Sequence, residues 1–274
     1  MQKYLDIVNK IHASPYKLTI VSSGGGTNAI SALLEVAGAS NTILESHIPY
    51  SKESMDTFLN KKPDHYCSLD TCLNMAANAY KKSKEVDSES KTKHLLGIAI
   101  TANLATTYEK KGDHKFFIVI QTYNYTKYLE CFLDKGKRTR EEEEELITSC
   151  VISLLAVSCG FEFNLPSIDE EIRINEVIAE KSWEKLFNDK VGFISNNISN
   201  PELIFPGSFN PLHEGHIKMK ELAEKKTGMH TTFEICARNA DKPPLTFYEI
   251  KRTIDQFQND ESWMLTSAGR FSEK

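Results

Sequence analysis

Two stretches combine residue types that could act on a ligand. The first, residues 203–226, reads "LIFPGSFNPLHEGHIKMKELAEKK" and places His213 and His216 on either side of Glu214 and Gly215. "ELIFPGSF" is a short apolar strand pattern, and Ile217, Met219, Leu222 and Ala223 give a partial helical stripe. The histidines therefore fall in the first helical turn or just before it. The first amides of a helix have no partner inside it, and the dipole is positive there, so that end attracts phosphate. Imidazoles at that point can donate hydrogen bonds to phosphate oxygens as charge builds during nucleotidyl transfer. Gly207 would let the backbone approach a nucleotide, and Gly215 would leave room beside its phosphates. Two histidines spaced by three also suit a surface helix start or half of a metal site. A third ligand is not evident in the sequence, which argues against zinc.

The second stretch is Ser22-Ser23-Gly24-Gly25-Gly26-Thr27, between a β-branched run (17–21) and a helical pattern (28–36). Amides and hydroxyls collected at a helix start form an anion-binding arrangement. A serine there could be a nucleophile if a base lies nearby. A tight, glycine-rich turn with no ligand explains the same residues.

Alternating elements must carry these stretches. Helical spacing covers 2–12, 51–59 and 68–82; strand patterns cover 42–48, 95–101, 115–121 and 126–133. "TREEEEELITSCVISLLAVS" is a long helix with Thr139 as N-cap, and its glutamates Glu141–Glu145 read as a solvated, dipole-favoured start. This order predicts an α/β layered domain over 1–163. A connector over 164–200 follows, with one helix across 169–187 and a polar, Asn/Ser-rich linker at "NDKVGFISNNISNPE". A second α/β unit spans 201–274, with further strands at "TTFEIC" and "WMLTS" and a helix over 247–257 between them. Asn239 and Lys242 would lie at the carboxyl end of a strand, where open α/β sheets bind ligands.

The chain has 274 residues, 40% hydrophobic and 26% charged, with a net charge of −5, enough chain to bury a core and no general basic field to draw nucleic acid. The six cysteines form no Cys-x-x-Cys pair, so free thiols in a reducing cytoplasm are expected. The start "MQKYLDIVNKIHASP" is not a signal peptide, and the longest apolar run is too short and polar to span a bilayer.

Gly207, Ser208, Phe209, Asn210, Pro211, His213, Gly215 and His216 together resemble the signature of the HxGH nucleotidylyltransferase superfamily, Gly-Ser/Thr-Phe-Asp/Asn-Pro and then His-x-Gly-His. The resemblance implies a partial Rossmann-like unit that binds ATP or CTP over the helix start. His213 and His216 would contact the phosphates, and Mg2+ would accompany the triphosphate. Family members carry a second motif, Ile-Ser-Ser-x-x-x-Arg, which does not occur after Phe205, so the resemblance covers the N-terminal half of such a domain. Upstream, "VSSGGGTNAISALLEVAGASNTILESHIPYSKESMDTFL" resembles the CinA C-terminal domain family, which includes nicotinamide mononucleotide deamidases. That resemblance, over roughly 6–160, implies a three-layer α/β fold, with the catalytic serine at Ser23, the active-site tyrosine at Tyr50, and a homo-oligomer. The sequence departs from that family where its lysine falls on Met55 and where its glycine-rich loop becomes "ITANLATTY".

Three expectations follow. One is nucleotidyl transfer from ATP or CTP to a mononucleotide such as nicotinamide mononucleotide. Another is deamidation at Ser23 with Tyr50. The third is a non-catalytic nucleotide-binding or oligomerising scaffold. In each case the partner is a small-molecule nucleotide, with neither nucleic acid nor membrane involved.

Overall fold

The computed structural model describes residues 2–108, 110–196, 201–238, 242–258 and 261–267. The chain is an α/β protein that divides into two compact units, Met1–Glu176 and Val177–Lys274.

In the first unit, α1 (Leu5–His12), β1 (Lys17–Ser23), α2 (Thr27–Leu34), β2 (Ile43–His47), α3 (Lys52–Leu59) and α4 (Leu69–Val86) precede a meander of β3 (Leu95–Asn103), β4 (His114–Gln121) and β5 (Tyr125–Leu133). The helix α5 (Arg140–Ser158) and the strand β6 (Ile172–Ile178) follow. The sheet order is β2-β1-β3-β4-β5-β6. β1 runs parallel to β2 and β3, and β4 runs antiparallel to both β3 and β5.

Alternation along the strands builds three layers. Leu18, Ile20, Leu96, Ile98 and Ile100 face a core shared with Ile7, Val8 and Ile11 of α1, Ala29 and Leu33 of α2, and Ile147, Cys150 and Val151 of α5. The opposite face takes α4, whose Ser83 hydroxyl meets the Thr19 amide at 2.9 Å and donates to the Leu96 carbonyl at 2.8 Å. From Leu146 to Ala156 every residue of α5 is buried, as in a helix covered on several sides. Its Thr139 cap and Glu142 form the reciprocal hydrogen bonds of a capping box.

The second unit contains α6 (Lys181–Phe187), β7 (Phe193–Ser195), β8 (Leu203–Gly207), α7 (Glu214–Thr227), β9 (Thr231–Cys236), α8 (Phe247–Ile254) and β10 (Ser262–Thr266). Its sheet order is β7-β10-β9-β8; β8, β9 and β10 are parallel, and β7 is antiparallel to β10. Phe209, Phe233, Ile235, Phe247, Ile250 and Leu265 centre its core.

Three expectations about the chain's middle are corrected. The first unit does not close at Phe163: Phe163, Leu165, Ile168 and Ile172 continue to pack against its core. Residues 169–187 are not one helix but the strand β6 and the short helix α6. The run "IRINEVI" carries apolar residues two apart as well as four apart, and pairing at a sheet edge decides for the strand. The polar linker contains β7, where Phe193, Ile194 and Ser195 pair with Thr266, Leu265 and Met264. Among the described residues no helix is long and apolar enough to cross a membrane.

Gly97 on β3 is where α4 lies closest to the sheet: a Cβ there would fall 2.2 Å from the Tyr80 nitrogen and 2.5 Å from the Ala76 carbonyl oxygen. Those are backbone atoms, so only movement of the whole helix could relieve the clash. Gly97→Ala is therefore expected to lower the unfolding free energy by about 3 kcal/mol, measured by urea denaturation.

Candidate functional site

The glycine turn of the first unit is shaped by close approach. Gly24 and Gly26 have φ of +79° and +90°. A Cβ on Gly24 would meet the Ala102 carbonyl oxygen at 2.0 Å, and one on Gly25 would meet Leu104 at 2.5 Å. The turn is thus pressed against the end of β3 and the residues after it.

The N-terminus of α5 ties this turn down. The Gly26 amide donates to Glu144 Oε2 at 2.6 Å. Arg140 donates to the Gly24 carbonyl at 3.0 Å and the Ala105 carbonyl at 3.3 Å. Glu143 is fully buried; its carboxylate accepts from the Ala105 amide at 2.6 Å and lies 2.9 Å from His114 Nδ1. Glu145 accepts from Lys3 and Tyr4. The acidic run is therefore not simply a solvated helix start. Glu141 is exposed and Glu142 caps, but Glu143 and Glu144 pair the main chain of two turns.

Beside the turn, the structure brings together the two predicted residues Ser23 and Tyr50 on the wall of a cavity of about 440 Å3. Tyr50 is 71% exposed. The Ser23 hydroxyl donates to the Pro49 carbonyl at 2.9 Å, so main chain rather than a base holds its proton. Met55 stands in the same wall. The cavity also holds three cations that the sequence reading missed: Lys52, Lys110 and Arg140. Lys52 sits over the Tyr66 ring at 5.7 Å. Lys110 donates to Asn103 Oδ1 at 2.8 Å and the Leu104 carbonyl at 3.0 Å. Burial, then the nearby Arg140 charge, lowers the Lys110 pKa. Cys67 lines the cavity as well, and burial raises its thiol pKa, which favours the neutral form. No local pattern marks these residues, because they come from separate loops and two helix starts.

In the second unit, β8 ends in Gly207 and α7 begins at Glu214 with His213 as its N-cap in extended conformation. The structure thus places both predicted histidines at the helix start. Their rings stack at 3.7 Å, and the His213 amide donates to His216 Nδ1 at 3.2 Å. With Nδ1 accepting, neutral His216 carries its proton on Nε2 and can donate from there. Burial, and then His213, lowers the His216 pKa, so the neutral form prevails at pH 7. Ser208, Asn210, His213 and Gly215 are exposed around this point, as is Lys242 on the loop after β9. Asn239 lies outside the described residues.

Phe209 behaves differently from its neighbours. Its side chain is 1% exposed, and it adopts φ +43°, which costs a non-glycine residue about 1 kcal/mol. Its ring fills the space above Gly207, where a Cβ would approach it to 2.5 Å. It also stands edge-on to His216 at 5.2 Å. Gly215 faces the His213 ring, 3.1 Å from where its Cβ would be. Both glycines therefore accommodate neighbouring rings of the motif itself. Gln256, which the sequence reading did not single out, accepts from the Leu212 amide at 2.8 Å and donates to the Phe209 carbonyl at 2.9 Å.

No protein-family model matches the chain, and no curated protein matches it. Among solved structures it is similar to the competence/damage inducible protein CihA from Agrobacterium tumefaciens, at 16% identity and a TM-score of 0.39, over 57% of this chain and 90% of that one. It is similar also to a competence-damaged protein (CinA) superfamily protein from Klebsiella pneumoniae, at 14% identity and a TM-score of 0.41, over 58% of this chain and 94% of that one. A third is the competence or damage-inducible protein from Enterobacter asburiae, at 15% identity and a TM-score of 0.42, over 56% of this chain and 94% of that one.

The α5 contacts give a direct test of the acidic run. Glu144→Ala, which leaves the Gly26 amide unpaired, is expected to cost about 2 kcal/mol, whereas exposed Glu141→Ala should stay within about 0.5 kcal/mol. Chemical denaturation of the two variants side by side measures the difference.

Proposed function

We propose that the second unit binds the phosphates of a nucleoside triphosphate at the start of α7 and transfers its nucleotidyl group to a phosphate-bearing acceptor such as nicotinamide mononucleotide. The observation that carries this reading is the stacked His213–His216 pair, set at the N-terminus of a 14-residue helix that follows a parallel strand. The acceptor's phosphate oxygen attacks the α-phosphorus, a new P–O bond forms, and the bond to the β-phosphate breaks to release pyrophosphate. Negative charge grows on the phosphoryl oxygens. His216 Nε2 and the His213 ring are donors that such charge strengthens.

Magnesium would arrive with the triphosphate. Among the described residues, no group of three or more His, Cys, Asp or Glu side chains could hold a metal. Two imidazoles are not the oxygen-rich set that magnesium takes, so the ion would rely on phosphate oxygens and water.

The test is pyrophosphate release from ATP and nicotinamide mononucleotide. His216→Ala is expected to lower kcat/KM by about 10²-fold with the fold intact. Unchanged turnover in that variant, or none in the wild type, would sink the reading.

The cations Lys52, Lys110 and Arg140 favour a second reading for the first unit: a CinA-like domain whose cavity accepts an anionic mononucleotide. Deamidation there would need an activated nucleophile, whereas the Ser23 hydroxyl donates to the Pro49 carbonyl and, among the described residues, meets no base. Lys52→Ala is expected to weaken nicotinamide mononucleotide binding about fivefold by calorimetry, in line with one exposed charge. Ammonia release abolished by Ser23→Ala would instead establish a working amidohydrolase.

A further inference from the structure

The loop from 208 to 213 joins β8 to the histidine pair, and its position depends on a residue from another element. Gln256 lies just past the end of α8. Its side-chain amide uses both of its ends: Nε2 donates to the Phe209 carbonyl, and Oε1 accepts from the Leu212 amide. The two bonds bracket Asn210 and Pro211, so one planar head fixes both sides of the exposed tip. An amide carries a donor and an acceptor side by side on one planar head. A carboxylate would set negative charge against the Phe209 carbonyl, and lysine or arginine could not accept from Leu212.

The bracket matters because of what Phe209 supports. Its left-handed backbone is held by the Gln256 bond to its carbonyl and by the burial of its ring among Phe205, Phe233 and Phe257. His216 leans edge-on against that ring, and His213 stacks on His216. Gln256 is therefore mechanically continuous with both imidazoles while touching neither. We propose that Gln256 is a positioning residue for the second unit: an amide clamp that sets the phosphate-facing loop and keeps the His213–His216 stack in the orientation that meets the triphosphate. This rests on the nucleotidyl-transfer reading for its functional meaning, but the geometry itself can be tested without turnover.

The experiment uses the full-length chain with Gln256→Glu, which keeps size and the acceptor, and Gln256→Ala, which removes the head. The ring resonances of His213 and His216 are followed by NMR across a pH titration, and melting temperature is measured in parallel. Both variants are expected to stay folded, while the two histidines lose their mutual ring-current shifts and titrate more independently. In pyrophosphate-release kinetics, kcat is expected to fall between tenfold and about 100-fold with KM for ATP nearly unchanged, as a misplaced catalytic group requires. If the wild type shows no transfer, the nucleotidyl-transfer reading fails, and the histidine resonances still decide whether the clamp exists. Histidine resonances and titrations identical to wild type in folded Gln256→Glu and Gln256→Ala would overturn the proposal. So would equal unfolding of both variants, because the amide would then be a general structural tie and not a device for placing the histidines.

Discussion

Main-chain groups that packing removes from water must be paired, and this requirement organises the turn between β1 and α2 and the loop between β8 and α7. A turn has few partners of its own, because its amides and carbonyls belong to no ladder. In the first unit the partners come from α5: Glu144 takes the Gly26 amide, Arg140 takes the Gly24 carbonyl, and Glu143 takes the Ala105 amide. In the second unit Gln256 takes the Leu212 amide and the Phe209 carbonyl. Each turn is held by a side chain that folding brings from far along the chain.

This has a chemical consequence at the glycine turn. An amide-rich helix start is an anion site only while its amides are free. Glu144 supplies a carboxylate to the Gly26 amide from within the chain, so one anion already sits there. The positive charge beside the turn is carried instead by the side chains of the neighbouring cavity, Lys52, Lys110 and Arg140. Arg140 does both jobs, pairing two carbonyls of the wall while lending its charge to the space beside them.

What could be read from the sequence was local. Apolar patterns gave the strands β3, β4 and β5 to within two residues, and Thr139 marked the start of α5, because periodicity and caps are properties of short segments. The placement of His213 and His216 at the start of α7 was legible for the same reason. β6 and β7 were not, since short runs such as "FIS" become strands only by pairing with partners far away in sequence. The contact between Gly26 and Glu144 spans 118 residues, and that between Phe209 and Gln256 spans 47. No window of neighbours contains either. The acidic run shows the limit most clearly: five consecutive glutamates have one composition but four environments, namely solvent, a cap, the buried main chain of two turns, and a surface ion pair.

The motif around β8 and α7 gains a second meaning from its packing. Gly207 is small because the Phe209 ring lies over it, and Gly215 is small because the His213 ring lies beside it. Phe209 accepts an unfavourable backbone conformation so that its ring can fill that space and support His216. Gly207, Phe209 and Gly215 are thus fitted to the packing of one loop. The positions left over, Ser208, Asn210 and His213, are exposed at the surface the loop presents. Beside them His216 has its Nδ1 committed to the His213 amide, which leaves its Nε2 to donate. The inner residues fix where those groups stand, and the outer ones set the chemistry of the exposed surface.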